Sequence, residues 1–223
     1  MNFSPEWESR FAELTHLSIW PWSDLVSLVR RHCKQLGAAS KVLELGCGAG
    51  ANIPFFLSLG VQYHAVDGSP TVVARLHEQF PDLRGRIGVA DFTLGQPFGR
   101  DFDLIVDRAA VTHNTTSAIA DTLAMAYSSL KPGGLFIGVD WFSTEHGDFG
   151  AGLPAEDAYT KRDFVAGPFA GLGRVHFSDE LHMRQLFGQF ELLFLEHKQL
   201  ERIVPADGGR LAFWHVVARR PHV

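Results

Sequence analysis

The run VLELGCGAGAN, residues 42–52, starts as a short apolar strand and breaks into glycines at 46, 48 and 50. Small residues let a backbone approach a ligand closely, and the N–H groups of a following helix are free to donate. The run therefore predicts a strand that opens into a nucleotide-cradling loop. Gly46, Gly48 and Ala51 have the spacing of a dinucleotide fingerprint, with Ala tolerated at the last site. Asp67 follows by about 20 residues, where a carboxylate can accept from ribose hydroxyls.

The flanking sequence alternates in the same way. DLVSLVRRHCKQLG (24–37) has one apolar helical face and Gly37 as a stop. NIPFFLSLG (52–60) predicts a helix capped by Asn52, with Pro54 in its first turn. QYHAVDG (62–68) is a strand, and SPTVVARLHEQFP (69–81) a helix opened by Ser69 and Pro70. RIGVAD (86–91) and FDLIVDR (102–108) are strands. NTTSAIADTLAMAYSSLKPGG (114–134) is a helix stopped by Pro132 and two glycines, and LFIGVDWF (135–142) is the next strand. After these units come a helix capped by Ser178 (178–189) and two strands, 190–202 and 210–220. IVPADGG joins these strands with turn chemistry. The expected fold is α/β. It has seven strands, mostly parallel, with helices on both faces and an antiparallel C-terminal hairpin.

A length of 223 residues suits one domain with a sizeable core. Residues 24–142 and 178–220 form the expected core. Residues 1–23, with Trp7, Phe11, Trp20 and Trp22, form a cap segment. Residues 143–177 are rich in glycine and aromatics without periodicity, which predicts a lid or substrate insertion. A net charge of −5 argues against a nucleic-acid partner. No apolar run is long enough to span a membrane. Two cysteines, Cys33 and Cys47, and no secretory leader suggest a reduced, cytoplasmic setting. The sequence does not indicate an oligomeric state.

The loop alone fits either a nicotinamide dinucleotide or an S-adenosyl nucleotide. Three further features separate them. Glu44 stands inside the central strand, where an unpaired carboxylate is costly, so it is expected to orient the loop or the cofactor's amino end. Asp91 and Phe92 follow the third strand, where an acid and a ring can hold an adenine. LKPGG (130–134) precedes the fifth strand, and the sheet ends in a reversed hairpin.

Taken in order, VLELGCGAG, AVDGSP, ADF, FDLIVDR and LKPGGLFI resemble the class I S-adenosylmethionine-dependent methyltransferases, with their Rossmann-like sheet. The opening EWESRFAEL…WPWSDLV is loosely similar to the thiopurine and tellurite type of small-molecule methyltransferases. The resemblance implies S-adenosylmethionine as cofactor and S-adenosylhomocysteine as product. It places Glu44, Gly46, Cys47, Gly48, Gly50, Asn52, Asp67, Gly68, Ser69, Asp91, Phe92 and Asp107 at the cofactor.

The acceptor is expected at the carboxyl ends of the fourth and fifth strands. Asp107, Arg108 and His113 are the catalytic candidates there. His113 is poised near neutral pH to take a proton from a hydroxyl acceptor, or is a helix-entry residue bonded to a carbonyl. Arg108 holds an anionic acceptor or pairs with Asp107 or Asp140. Trp22, Trp141, His146 and His176 are the candidate substrate contacts. Glu145, His146 and Asp148 form a solvated loop rather than a metal site, and no metal is expected. A sugar or surface-polysaccharide precursor methyltransferase, an inactive cofactor-binding module and a nicotinamide oxidoreductase are the alternatives.

Overall fold

The computed structural model describes residues 5–13, 17–205 and 209–222. The turn expected within IVPADGG therefore lies partly outside the described residues, as do residues 1–4 and 14–16 of the cap segment. In chain order the elements begin with α1 (Pro5–Ala12), α2 (Ser23–His32), β1 (Lys41–Leu45), α3 (Ile53–Ser58) and β2 (Gln62–Asp67). They continue with α4 (Pro70–Gln79), β3 (Ile87–Val89), β4 (Phe102–Arg108), α5 (Thr116–Ser129) and β5 (Leu130–Phe142). Three short strands follow: β6 (Leu153–Pro154), β7 (Thr160–Arg162) and β8 (Val175–His176). The chain ends with α6 (Glu180–Leu186), β9 (Glu191–Glu201) and β10 (Arg210–Arg219).

One seven-stranded sheet has the order β3-β2-β1-β4-β5-β10-β9. β1 to β5 pair in parallel, and β10 runs antiparallel to both β5 and β9. The chain moves outward from β1 in one direction through β2 and β3, then in the other through β4 and β5. Such a reversal opens a crevice at the carboxyl ends of the two central strands. β1 is buried on both faces, as expected for a central parallel strand. Val42 packs into the core half with α2, α3 and α4, whereas Leu43 and Leu45 pack into the half with α5 and α6.

Several element ends differ from expectation, each for a local reason. α2 stops at His32, and Cys33 leaves helical geometry while donating to Val29 O. α5 is capped by Thr115, whose hydroxyl accepts from Ala118 N; Asn114 turns back to donate to Val111 O. α6 is capped by Asp179 rather than Ser178. LKPGG belongs to the strand. Leu130 is already extended and pairs with Phe102; Pro132 has no N–H for the Ser128 carbonyl and pushes Lys131 out of helical geometry, so the helix cannot run on. Asn52 stands at the N-cap position of α3 but makes no capping bond, since its amide is used elsewhere.

Residues 143–177 build a small unit of their own. β6, β7 and β8 form a three-stranded antiparallel sheet. Phe164, Phe169, Leu172, Val175 and Phe177 form a separate apolar cluster against Trp7, Phe142 and Phe149. Strands of two or three residues are too short to leave a readable alternation.

Candidate functional site

The glycine loop is anchored on β2. Gly46 and Cys47 donate to Val66 O at 2.8 and 3.2 Å. Gly48 N donates to Asp67 Oδ2 at 2.9 Å, and Ser69 N to Asp67 Oδ1 at 2.9 Å. Asp67 is thus locked from both sides while lining the cleft, and each oxygen retains accepting capacity. Burial pushes its carboxyl up to about 6 against the pull of those amides.

The three glycines have different reasons. All have positive φ, at 63°, 49° and 81°. A Cβ on Gly46 would meet Ala110 Cβ at 2.1 Å, and one on Gly50 would meet Leu76 and Ile53 at 2.6 and 2.8 Å. These two are small so that protein can pack on the loop. Gly48 meets nothing nearer than the Phe11 ring, at 3.7 Å, so its need is conformational. The expectation that Gly46 marks a close approach to ligand is corrected in part: the close approach is to the β4–α5 loop.

Glu44 is paired on both oxygens. Asn52 Nδ2 donates to Oε1 at 2.8 Å, and Tyr63 Oη to Oε2 at 2.5 Å. Burial raises its carboxyl to about 7. Asn52 Oδ1 in turn accepts from Trp22 N at 3.2 Å. Thus the strand acid positions Asn52, and Asn52 positions the cap segment.

A cleft of about 710 Å³ lies over these strand ends. One half is walled by Glu44, Gly46, Cys47, Gly48, Asn52, Asp67, Gly68, Asp91 and Phe92. Asp91 Oδ1 accepts from Thr93 N and Oγ1. The other half is walled by Trp22, Arg108, His113, Asn114, Phe142, His146, Pro168, Phe169, Leu172, Leu211 and Phe213. Trp7 and Phe11 of α1 close the top. α1 is tied down on both sides of the opening. Glu8 accepts from the Ser69 and Thr71 hydroxyls, Arg75 donates to Phe11 O, and Arg10 donates to Ala170 O in the insertion.

Five expected site residues fall outside this lining. Ser69 is buried as the cap of α4, and Gly50 packs against α4 and Ile53 as described. Asp107 is fully buried and accepts from Ala110 N, Val111 N and Trp141 Nε1 at 3.1, 3.0 and 2.7 Å. It shapes the β4–α5 loop from beneath, which corrects its assignment to catalysis and to the cofactor. Trp141 is consumed by the same bond and is 1% exposed, so it does not contact the cleft. His176 is buried between Thr160 Oγ1 and His182 Nε2 and is not among the residues that line the cleft. Burial and His182 push it down to about 3, so it is a neutral structural histidine.

Four of the catalytic and substrate candidates do face the cleft: Trp22, Arg108, His113 and His146. Arg108 Nε donates to Asp140 Oδ2 at 2.8 Å, and its guanidinium lies 3.6 Å over the Trp22 ring. His113 Nδ1 bonds Arg174 O at 2.9 Å. A carbonyl can only accept, so in the neutral ring Nε2 carries the lone pair. His113 stands edge-on to Trp7 and Phe142. His146 Nδ1 accepts from Asp148 N at 3.1 Å, which places the proton on Nε2. Burial lowers its pKa.

The sequence did not single out Tyr63, Glu8, Leu211 or Phe213. Tyr63 and Glu44 sit on neighbouring strands, and only the register brings them together. Trp7 and Phe11 were readable as an i,i+4 aromatic pair, but the surface they cover was not. Among the described residues Asp24, Asp140 and His215 bring ligand-type atoms within 4.8 Å of one another. Lys198 bonds Asp24 at 2.7 Å and Arg108 bonds Asp140 at 2.8 Å. The cluster is thereby an ion-pair network with its carboxylates occupied.

A doubly wound sheet with a reversed terminal hairpin, a glycine loop after β1 and an acid at the end of β2 together give the fold shared with class I S-adenosylmethionine-dependent methyltransferases. Comparison with known proteins agrees. The family model described as "Methyltransferase domain" matches residues 43–136. An uncharacterized methyltransferase of Synechocystis is 29% identical over 106 residues. The match covers 47% of this chain and 49% of that protein, so the chain spans about half the length of this curated relative. Among solved structures, an S-adenosylmethionine-dependent methyltransferase from Methanosarcina mazei superposes with a TM-score of 0.67 at 17% identity, covering 91% of this chain and 99% of that one. A 1,6-didemethyltoxoflavin N1-methyltransferase from Burkholderia thailandensis, solved with its acceptor and S-adenosylhomocysteine, gives 0.62 at 17% identity, covering 97% and 84%.

Proposed function

We propose that the protein transfers a methyl group from S-adenosylmethionine to a small-molecule acceptor. The observation that carries this reading is Asp67. It is a buried carboxylate fixed by two backbone amides beneath the glycine loop, and it lines the same cleft as Asp91 and Phe92. The donor set fits the cofactor. Asp67 accepts from two ribose hydroxyls, Asp91 accepts from an adenine amine, and Phe92 packs on the base. Gly46 to Gly48 border the methionine part, and Asn52, held by Glu44, borders its amino end.

When bound, S-adenosylmethionine supplies an already activated methyl group. In-line displacement then needs mainly alignment of the acceptor atom. The aromatic half of the cleft excludes water and orients the acceptor. His113 accepts a proton at Nε2 where the acceptor is a hydroxyl. A thiol that reaches the site as thiolate needs no base. The structurally similar 1,6-didemethyltoxoflavin N1-methyltransferase, solved with that small molecule bound, supports a small acceptor.

The test is titration with S-adenosylhomocysteine and with NAD by calorimetry. Binding of the first and not the second is expected. Equal affinity for NAD, or no binding of S-adenosylhomocysteine, overturns the reading.

A further inference from the structure

The acceptor half of the cleft has its own chemistry, and this inference rests on the methyl-transfer reading above. Its walls are Trp7, Trp22, Phe142, Phe169, Leu211 and Phe213. Aromatic rings set at steep angles to one another, with Phe142 edge-on to Phe169 and tilted against Phe213, make an apolar wall suited to a planar, mostly apolar molecule.

Among the described residues that line this surface, Arg108 is the one arginine or lysine. Arg108 follows Asp107, which pairs with Leu45 in the β1–β4 register. Arg108 therefore sits one strand spacing from Gly46 and beside the glycine loop. Its fork is held from two directions. Asp140 binds the Nε edge, and Trp22 covers one face. Asp140 is itself held by His215 Nε2 at 3.2 Å, and it adopts φ 57°, a costly conformation for a non-glycine residue. Ala109, next to Arg108, also has φ 57°. The terminal guanidinium nitrogens have no protein partner among the described residues, and Arg108 lines the cleft. A guanidinium with one edge on a carboxylate can still take a second carboxylate on its remaining N–H groups.

We infer that the acceptor is a planar aromatic molecule bearing one carboxylate, which the free edge of Arg108 binds while the ring lies between the aromatic walls. Arg108 thus sets specificity; the transferred methyl goes to another atom of the acceptor.

The experiment uses the full chain saturated with S-adenosylhomocysteine. The probes are 2-, 3- and 4-hydroxybenzoate and indole-3-acetate, each paired with its carboxamide, titrated by calorimetry. At least one carboxylate is expected to bind tenfold or more tighter than its amide. That preference should vanish in Arg108→Gln and persist in part in Arg108→Lys, while S-adenosylhomocysteine affinity stays within about twofold. Absence of any carboxylate preference in the native protein, including absence of binding by every probe, overturns the inference. A preference that survives in Arg108→Gln overturns it too. Loss of S-adenosylhomocysteine binding by the native protein would instead strike the methyl-transfer reading.

Discussion

Asn52 Nδ2 donates to Glu44 Oε1 across 2.8 Å of buried space, while Tyr63 holds the other carboxylate oxygen. A charged group at this depth is tolerated because both oxygens are bonded, and burial still raises its pKa to about 7. Its ordinary value lies near 4.5. Between those values the folded state holds a proton that the unfolded chain releases. Stability from this group is therefore full below the lower value and is lost as pH rises towards 7. The difference amounts to about 3 kcal/mol. Glu44→Gln cannot titrate. The stability of this variant relative to the native protein should rise steadily between pH 4.5 and 7, measured by denaturant unfolding. A constant difference across that range would contradict the raised pKa.

Asp67 should control cofactor affinity in two ways. Asp67→Ala removes the ribose acceptor and leaves Gly48 N and Ser69 N without their partner. Affinity for S-adenosylhomocysteine should fall at least 100-fold by calorimetry. In the native protein burial raises this carboxyl to about 6. Its protonated form is the weaker double acceptor, so affinity should drop as pH falls below 6. A flat affinity from pH 5 to 8 would separate Asp67 from the ribose.

Asp107 and Trp141 should behave as structural residues. Asp107→Ala leaves two backbone amides and an indole N–H unsatisfied in a buried place. The expected cost is about 3 kcal/mol or more. Trp141→Phe should destabilise by less, because Asp107 keeps its two amides. Thermal unfolding measures both. A stable Asp107→Ala protein that has lost only turnover would restore Asp107 to the chemistry.

His113→Ala should lower kcat with a hydroxyl acceptor by about 100-fold and leave S-adenosylhomocysteine affinity nearly unchanged. With a thiolate acceptor the same variant should retain most of its rate. Product release under single-turnover conditions distinguishes the two. Equal loss with both acceptors would make His113 a packing residue, consistent with its bond to Arg174 O.

Much of this arrangement was readable from local chemistry. Ser69 caps α4 and Phe102–Arg108 is a strand as expected, since serine before proline and an unbroken apolar run act over a few residues. Caps failed where side chains had better partners at a distance. Asn52 serves Glu44 and Trp22 instead of its own helix, and Thr115 replaces Asn114. The insertion was legible as an exception but not as a small sheet with an aromatic core.

The sequence by itself determined the alternation of strands and helices, the glycine loop, Asp67 at the end of β2 and the terminal hairpin. These depend on periodicity, turn residues and backbone freedom, which act along the chain. Only the tertiary structure decided which polar residues face the cleft. Asp107 and Arg108 are adjacent, yet alternation along β4 sends the first to Trp141 beneath the loop and the second over Trp22. Trp7, Phe142 and Phe213 come from a helix and two strands far apart in the chain. They share one slot because β10 pairs with β5 and α1 is tied across the opening.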